Sequence, residues 1–173
     1  MDTNVNALPS PSWWRMVMIG RRPEWTLVRI VLLVAVCWVV FTRILLPIRV
    51  DGTSMLPTYK DHGVNLVNRL AYRRRDPERG DVVAVRTTGV HIMFMKRIIG
   101  LPGETVAFHN GHAVIDGKVL SEPYVKGPCD WEWAPETLKP DEYFCVGDNR
   151  SMALAGHFFF KAPRSRIVGK VLL

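Results

Sequence analysis

The sequence predicts a mostly β protein, a compact antiparallel, barrel-like sheet domain behind one N-terminal transmembrane helix. Three observations predict it. A single 22-residue apolar stretch, Trp25 to Leu46, lies near the start of the chain. After residue 50, short runs rich in β-branched and apolar residues alternate with turn residues, as strands do. Beyond that point no long stretch carries a helical period.

Composition narrows the class. Of 173 residues, 48% are hydrophobic, 23% charged and 10% aromatic, which excludes a disordered chain. Three Cys and no glycine period exclude disulfide-dense and collagen-like scaffolds. A mean hydropathy of +0.06 with net charge +7 fits either a nucleic-acid partner or an anionic membrane surface. The distribution separates the two: residues 1–49 hold six Lys and Arg against two acids, whereas residues 50–173 hold 17 against 14. The basic excess follows the apolar stretch, so no nucleic-acid partner is expected. The one basic run, Arg73-Arg74-Arg75, reads as a solvated turn.

At ~1.5 Å per residue the apolar stretch would span roughly 33 Å as a helix, against a hydrocarbon core of about 30 Å. Its uncharged centre runs from Ile30 to Thr42, so Arg29 and Arg43 must snorkel to opposite headgroup layers. The competing reading is a buried core helix with two capping arginines. No polar stripe interrupts Ile30–Phe41, which favours the membrane. Arg15, Arg21, Arg22 and Arg29 on the N-terminal side outweigh Asp2 and Glu24, placing that end in the cytoplasm. The expected organisation is a cytoplasmic segment 1–24, an anchor 25–48 and an extracytoplasmic domain 49–173. No small-x-small site follows the apolar stretch, so the anchor reads as retained. Cys37 reads as a small apolar helix residue, and Trp13 and Trp14 as candidates for the headgroup layer.

In the domain, strands are expected at Val64–Leu70, Asp81–Thr87, His91–Ile99, Thr105–His109, His112–Ile115, Tyr143–Val146 and Arg166–Leu172. Asn110-Gly111 and Asp116-Gly117 are tight-turn signals. Cys129 and Cys145 allow two readings. One is a bridge closing a loop of about 17 residues, adding roughly 3 kcal/mol in the chain-entropy model; the other is two separate thiols.

Three segments carry candidate chemistry: Asp51-Gly-Thr-Ser-Met-Leu-Pro-Thr58, Met95-Lys-Arg-Ile-Ile-Gly-Leu-Pro-Gly-Glu104 and Val146-Gly-Asp-Asn-Arg-Ser-Met152. On a strand, Lys96 shares a face with Ile92, Phe94 and Ile98, and an ammonium in that company is desolvated. Action as a base near pH 7 requires the ordinary Lys pKa of ~10.4 to fall by about 3, roughly 4 kcal/mol, which burial can supply. A neutral amine can take the proton of a serine hydroxyl. Ser54 lies in a glycine-containing loop whose N–H groups could face an oxyanion. The histidines offer rival chemistry. His109 and His112 flank a turn with no further ligand at metal spacing, and His62 could pair with Ser54 but lacks an orienting carboxylate in the pattern.

Ser54-Met-Leu-Pro-Thr58, Gly80-Asp-Val-Val83, Lys96-Arg-Ile-Ile-Gly-Leu-Pro-Gly-Glu104 and Gly147-Asp-Asn-Arg150, in that order behind one anchor, resemble the motifs of type I signal peptidases. The resemblance covers roughly residues 25–173. It implies a membrane-bound serine endopeptidase, without metal or cofactor, that cuts signal peptides from exported preproteins after small-x-small sequences. By the same resemblance Ser54 is the nucleophile and Lys96 the general base. The oxyanion and substrate region would be Gly52, Thr53, Met55, Phe94 and Met95, with Arg97, Asp148, Asn149 and Arg150 supporting. An extended peptide would lie between the Ser54 segment and the strand leading to Lys96.

Two positions depart from the pattern. Gly52 stands where many members place a hydroxyl-donating Ser. Ala153, Ala155, Gly156 and His157 replace the stretch that usually supplies a lysine-bonding Ser and an Asp–Arg pair. Ser151 is two residues out of register. The alternatives are a catalytically impaired, membrane-tethered peptide-binding homologue and a specialised pilin-maturation peptidase. Trp131, Trp133 and Phe158-Phe159-Phe160 are either a bilayer-facing surface or ordinary core. The short segment between Arg97 and Gly147 implies a small, single-core version of the fold.

Overall fold

The computed structural model describes residues 25–86, 93–154 and 160–172, in two units that divide between Phe41 and Thr42. Expectations for Trp13, Trp14 and the N-terminal arginines, for Ile92, for Ala155–His157 and for Phe158 and Phe159 lie outside the described residues. Helix α1 (Thr26–Val39) runs on into a π-helical turn, Val40–Ile44. Together they give 19 residues of mean hydropathy 2.3, none of them buried. A core helix would hide its apolar face; this one hides nothing, and its length and composition match a membrane span.

The apolar run then changes conformation before the expected residue 48. Pro47 has no N–H and biases Leu46 towards extended backbone, so Leu45–Arg49 form strand β1. An edge position tolerates the proline. β1 pairs antiparallel with β2 (Val64–Asn68), from Leu45 opposite Asn68 to Arg49 opposite Val64.

The other strands are β3 (Val82–Arg86), β4 (Met93–Gly100), β5 (Thr105–His109), β6 (His112–Ile115), β7 (Lys118–Val119), β8 (Trp133–Thr137), β9 (Glu142–Val146), β10 (Phe160–Pro163) and β11 (Ile167–Leu172). A seven-stranded antiparallel sheet has the order β1-β2-β11-β3-β4-β9-β10, and a four-stranded sheet the order β7-β6-β5-β8. Every strand expected after residue 50 is present over its described residues; Thr87 and His91, expected at strand ends, lie outside them. The turns Asn110-Gly111 and Asp116-Gly117 both carry paired positive φ angles of +48° and +77°, as a two-residue hairpin turn requires.

Three apolar clusters hold the domain. Val82 and Ala84 of β3 face one cluster, with Met55, Tyr59, Val67 and Met95. Val83 and Val85 face another, with Tyr72, Ile98, Tyr143 and Cys145. Burial on both faces explains why β3 reads as an unbroken apolar run. The third cluster, around Phe108, Trp131 and Phe144, joins the small sheet to β9. Trp131 is therefore core, 1% exposed, with its indole N–H donating to the Met152 carbonyl at 2.8 Å. Trp133 packs partly buried against the same cluster. Cys129 and Cys145 are separate thiols: Cys145 is sealed in one cluster and Cys129 packs on another.

Gly100 sits where the β4–β9 register shifts. A Cβ there would lie 2.6 Å from Val106 Cγ2 and 2.9 Å from Phe144 Cβ. Gly100→Ala is expected to lower stability by about 1–3 kcal/mol through overpacking, read as a reduced urea midpoint.

Candidate active site

The loop after β1 is set by backbone geometry first. Gly52 has φ +121°, a region that favours glycine. Its N–H donates to Asp61 Oδ1 at 2.7 Å, and the Val50 N–H to the Gly63 carbonyl at 2.9 Å. The Gly52 and His62 N–H groups hold the Asp61 carboxyl below the usual carboxylate range. Met55 and Tyr59, 1% and 5% exposed, pin the following turn into the core. Asn149 fastens the loop from outside: its backbone N–H donates to the Ser54 carbonyl, and its side-chain amide to the Thr53 carbonyl, both at 3.0 Å.

Lys96 comes from β4, where it pairs opposite Val83. It is 2% exposed, and its Nζ lies 2.8 Å from Ser54 Oγ. Burial pushes its pKa down to about 8, against the pull of Asp148 and Cys145 towards the charged form. Burial likewise pushes the Cys145 thiol up to about 12. An amine that loses its proton this readily can accept the Ser54 hydroxyl proton across the same contact.

The supporting residues divide their work. Asp148, fully buried, takes Arg97 in a two-point pair at 2.8 and 2.7 Å and accepts the Thr58 hydroxyl at 2.6 Å. Arg97 also donates to the Gly80 carbonyl at 2.8 Å and stacks 3.9 Å from the Tyr124 ring centroid. Arg150 turns away into the third cluster, bonding the Gly147 carbonyl and Glu122 and lying over Phe108 and Trp131. Thr58, Asp61, Glu122 and Tyr124 were not singled out from the sequence. Only Thr58, inside the Ser54 motif, carried a signal.

A cleft of about 370 Å³ runs beside Ser54. One wall is Ile48 to Asp51; the other is Met93, Phe94 and Met95, with Met55 at the base. β9 pairs with β4 only between Arg97 and Gly100, whereas β3 pairs along Met93–Arg97. The cleft therefore follows the part of β4 that β9 leaves uncovered. Thr53 directs its hydroxyl to Met152 Sδ at 3.8 Å. The Gly52 N–H is engaged by Asp61, whereas the Ser54 N–H meets no acceptor among the described residues.

The two departures from the motif have distinct outcomes. Ala153 is exposed, and Lys96 Nζ hydrogen-bonds only Ser54 Oγ among the described residues. Ser151 lies against Gly127 instead, so it does not replace the absent lysine partner. The His62 ring is engaged by Asp51 at 2.9 Å and lies 3.6 Å from Asp61, leaving Ser54 to Lys96. His109 pairs with Glu132 at 3.2 Å.

Fold and site together define a class: an antiparallel β domain behind an apolar helix, with a buried lysine amine bonded to a serine hydroxyl at the edge of a strand-lined cleft. The chain belongs to the signal peptidase family, peptidase S26, whose model matches residues 23–173. It is 34% identical over 132 residues to a signal peptidase I of Leptolyngbya laminosa, covering 72% of this chain and 65% of that one. It is 34% identical over 130 residues to a probable signal peptidase I-2 of Synechocystis, covering 72% and 60%. With signal peptidase I V of Bacillus subtilis it shares 31% over 137 residues, covering 71% and 81%. The chain thus spans slightly less than two thirds of the length of the Leptolyngbya and Synechocystis relatives. A crystal structure of a signal peptidase I from Enterococcus faecalis aligns with 57% of the chain at 27% identity and a TM-score of 0.45.

Asp148→Ala would strand the Arg97 guanidinium and the Thr58 hydroxyl in a buried site. We expect a loss of about 3–5 kcal/mol, seen as a lower urea midpoint, with Arg97→Ala adding little in the double variant.

Proposed function

We propose that this protein is a membrane-anchored endopeptidase that removes signal peptides from exported preproteins after small-x-small sequences, with Ser54 as nucleophile and Lys96 as general base. The observation that carries the reading is the 2.8 Å contact between Ser54 Oγ and a lysine amine that is 2% exposed. In the neutral state of Lys96 the Ser54 hydroxyl donates to Nζ. As Oγ attacks the scissile carbonyl carbon, Nζ takes that proton. The Ser54 N–H stands ready for the oxyanion. The Lys96 ammonium then returns the proton to the departing amine, leaving an acyl ester on Ser54. Water, deprotonated by the same amine, attacks that ester, and the ammonium returns the proton to Ser54 Oγ as the acyl group leaves as a carboxylic acid.

The peptide lies extended in the cleft, adding a strand beside Met93–Met95. Met55, Phe94 and Met95 shape shallow pockets that suit small side chains. Asp148 holds Arg97, the backbone neighbour of Lys96, while Asn149 holds the Ser54 carbonyl. Residues 1–24 are cytoplasmic, 25–48 include the anchor and 49–173 form the extracytoplasmic catalytic domain. Substrates would then emerge from the bilayer into which the enzyme is itself inserted.

The test is cleavage of a preprotein with an Ala-x-Ala site by the detergent-solubilised full chain. Ser54→Ala and Lys96→Met should each reduce cleavage by at least roughly 1000-fold; cleavage surviving in either variant would sink the dyad. Wild type that binds the peptide without cutting it would make the chain a peptide-binding relative, an outcome motivated by Ala153. Processing of only one substrate in a panel would favour the specialised pilin enzyme.

A pH profile gives an independent check. Lys96 must be neutral to act, so kcat/KM should rise with pH, reach half its plateau near the Lys96 value of about 8, and fall tenfold per pH unit well below it.

A further inference from the structure

The arginine run that reads from sequence as a solvated turn has a specific place in the fold. Residues 69–75 leave the end of β2, whose Asn68 lies opposite Leu45, the first residue of β1. Arg69 is tied to the last turn of the apolar segment twice: its guanidinium donates to the Thr42 carbonyl and its N–H to the Ile44 carbonyl, both at 2.8 Å. Tyr72 buries its ring and bonds Asp81 at 2.8 Å, which fixes the turn on the domain. Arg69, Arg73 and Arg74 are exposed, as is Arg43 in the π-helical turn, and Leu70 between them is 37% exposed.

The acids of this region are already matched. Glu78 pairs with Arg75 at 3.1 Å, Asp76 with Arg164 at 3.9 Å, and Asp81 with Lys170 at 2.5 Å. Arg43, Arg69, Arg73 and Arg74 form no ion pair among the described residues. Three of these exposed arginines thus share one turn with Leu70, and the first of them, Arg69, bonds the carbonyls on either side of Arg43, where an apolar segment of membrane-spanning length ends. Exposed guanidiniums that no carboxylate occupies are free to take an anionic partner, and the place where the span ends supplies headgroups.

We propose that the turn Arg69–Arg74, together with Arg43, is a binding site for the headgroup of an anionic phospholipid in the extracytoplasmic leaflet. The guanidiniums take the phosphodiester, and Leu70 reaches towards the acyl region. The proposal rests on the membrane span and its orientation, not on the peptidase chemistry.

The test uses the full chain in a neutral detergent, titrated with phosphatidylglycerol or phosphatidylcholine and read by native mass spectrometry. Partition into the detergent phase is scored first. A chain that stays in the aqueous phase would overturn both the span and the proposal. Given partition, wild type should retain phosphatidylglycerol more tightly than phosphatidylcholine. The double variant R73Q/R74Q should weaken phosphatidylglycerol alone by about 25-fold, at roughly fivefold for each charge removed. R73K/R74K, which keeps both charges, should retain most of the affinity. Millimolar inorganic phosphate should leave the lipid in place. Equal retention of the two lipids, or a double variant that binds like wild type, would overturn the proposal. So would displacement by phosphate, which would mark a free-anion site. The N-terminal arginines are unchanged in every variant, so a lipid bound only there would appear as a double variant indistinguishable from wild type.

Discussion

Withdrawal of one amine from water organises this molecule. Lys96 cannot be buried by local means: a strand interior is needed beneath it, a closed sheet on each side of it and a partner for its nitrogen. β3 supplies the first by facing apolar clusters on both sides. β9 supplies part of the second, bringing Cys145 and the turn of Asp148 and Asn149 to the same end of β4. The loop of Ser54 supplies the third. The same low-polarity surroundings that depress the lysine also raise the Cys145 thiol, so one physical cause acts on two groups in opposite charge senses.

A second constraint keeps the first in register. Lys96 and Arg97 are adjacent on a strand and point to opposite faces, one towards the serine and the other towards Asp148. A slip of one residue in the β3–β4 ladder would exchange them, placing a permanent cation beside the Ser54 hydroxyl. The buried Arg97–Asp148 pair and the Arg97 bond to the Gly80 carbonyl penalise that slip strongly. The pair opposes the slip because moving either partner would leave the other charge buried and unpaired.

Much of this was legible in the sequence. The strands after residue 50 stood out because turn residues delimit them and because β-branched residues crowd into runs such as Val82–Val85. The Ser54 and Lys96 segments were visible as motifs, and the apolar neighbours of Lys96 announced its burial. What stayed hidden depends on contacts far apart in the chain. β1 was concealed inside the apolar run, with Pro47 the sole sign of the change. β8 carries Pro135, and β7 is only two residues long. Asp61 and Glu122 have no local signature, since their roles come from meeting Gly52 and Arg150 across the fold. Trp131 could have been surface or core until Phe108 and Phe144 were found around it.

Cys145 gives the molecule a built-in reporter. Its sulfur sits on β9 in the apolar layer that sustains the depressed lysine, sealed from solvent and held as an unreactive thiol. An alkylating reagent can reach it only when β9 parts from its neighbours, so the rate of modification measures how often the lysine's shelter opens. Breathing of the core thereby becomes a chemical clock set beside the groups on which hydrolysis would depend.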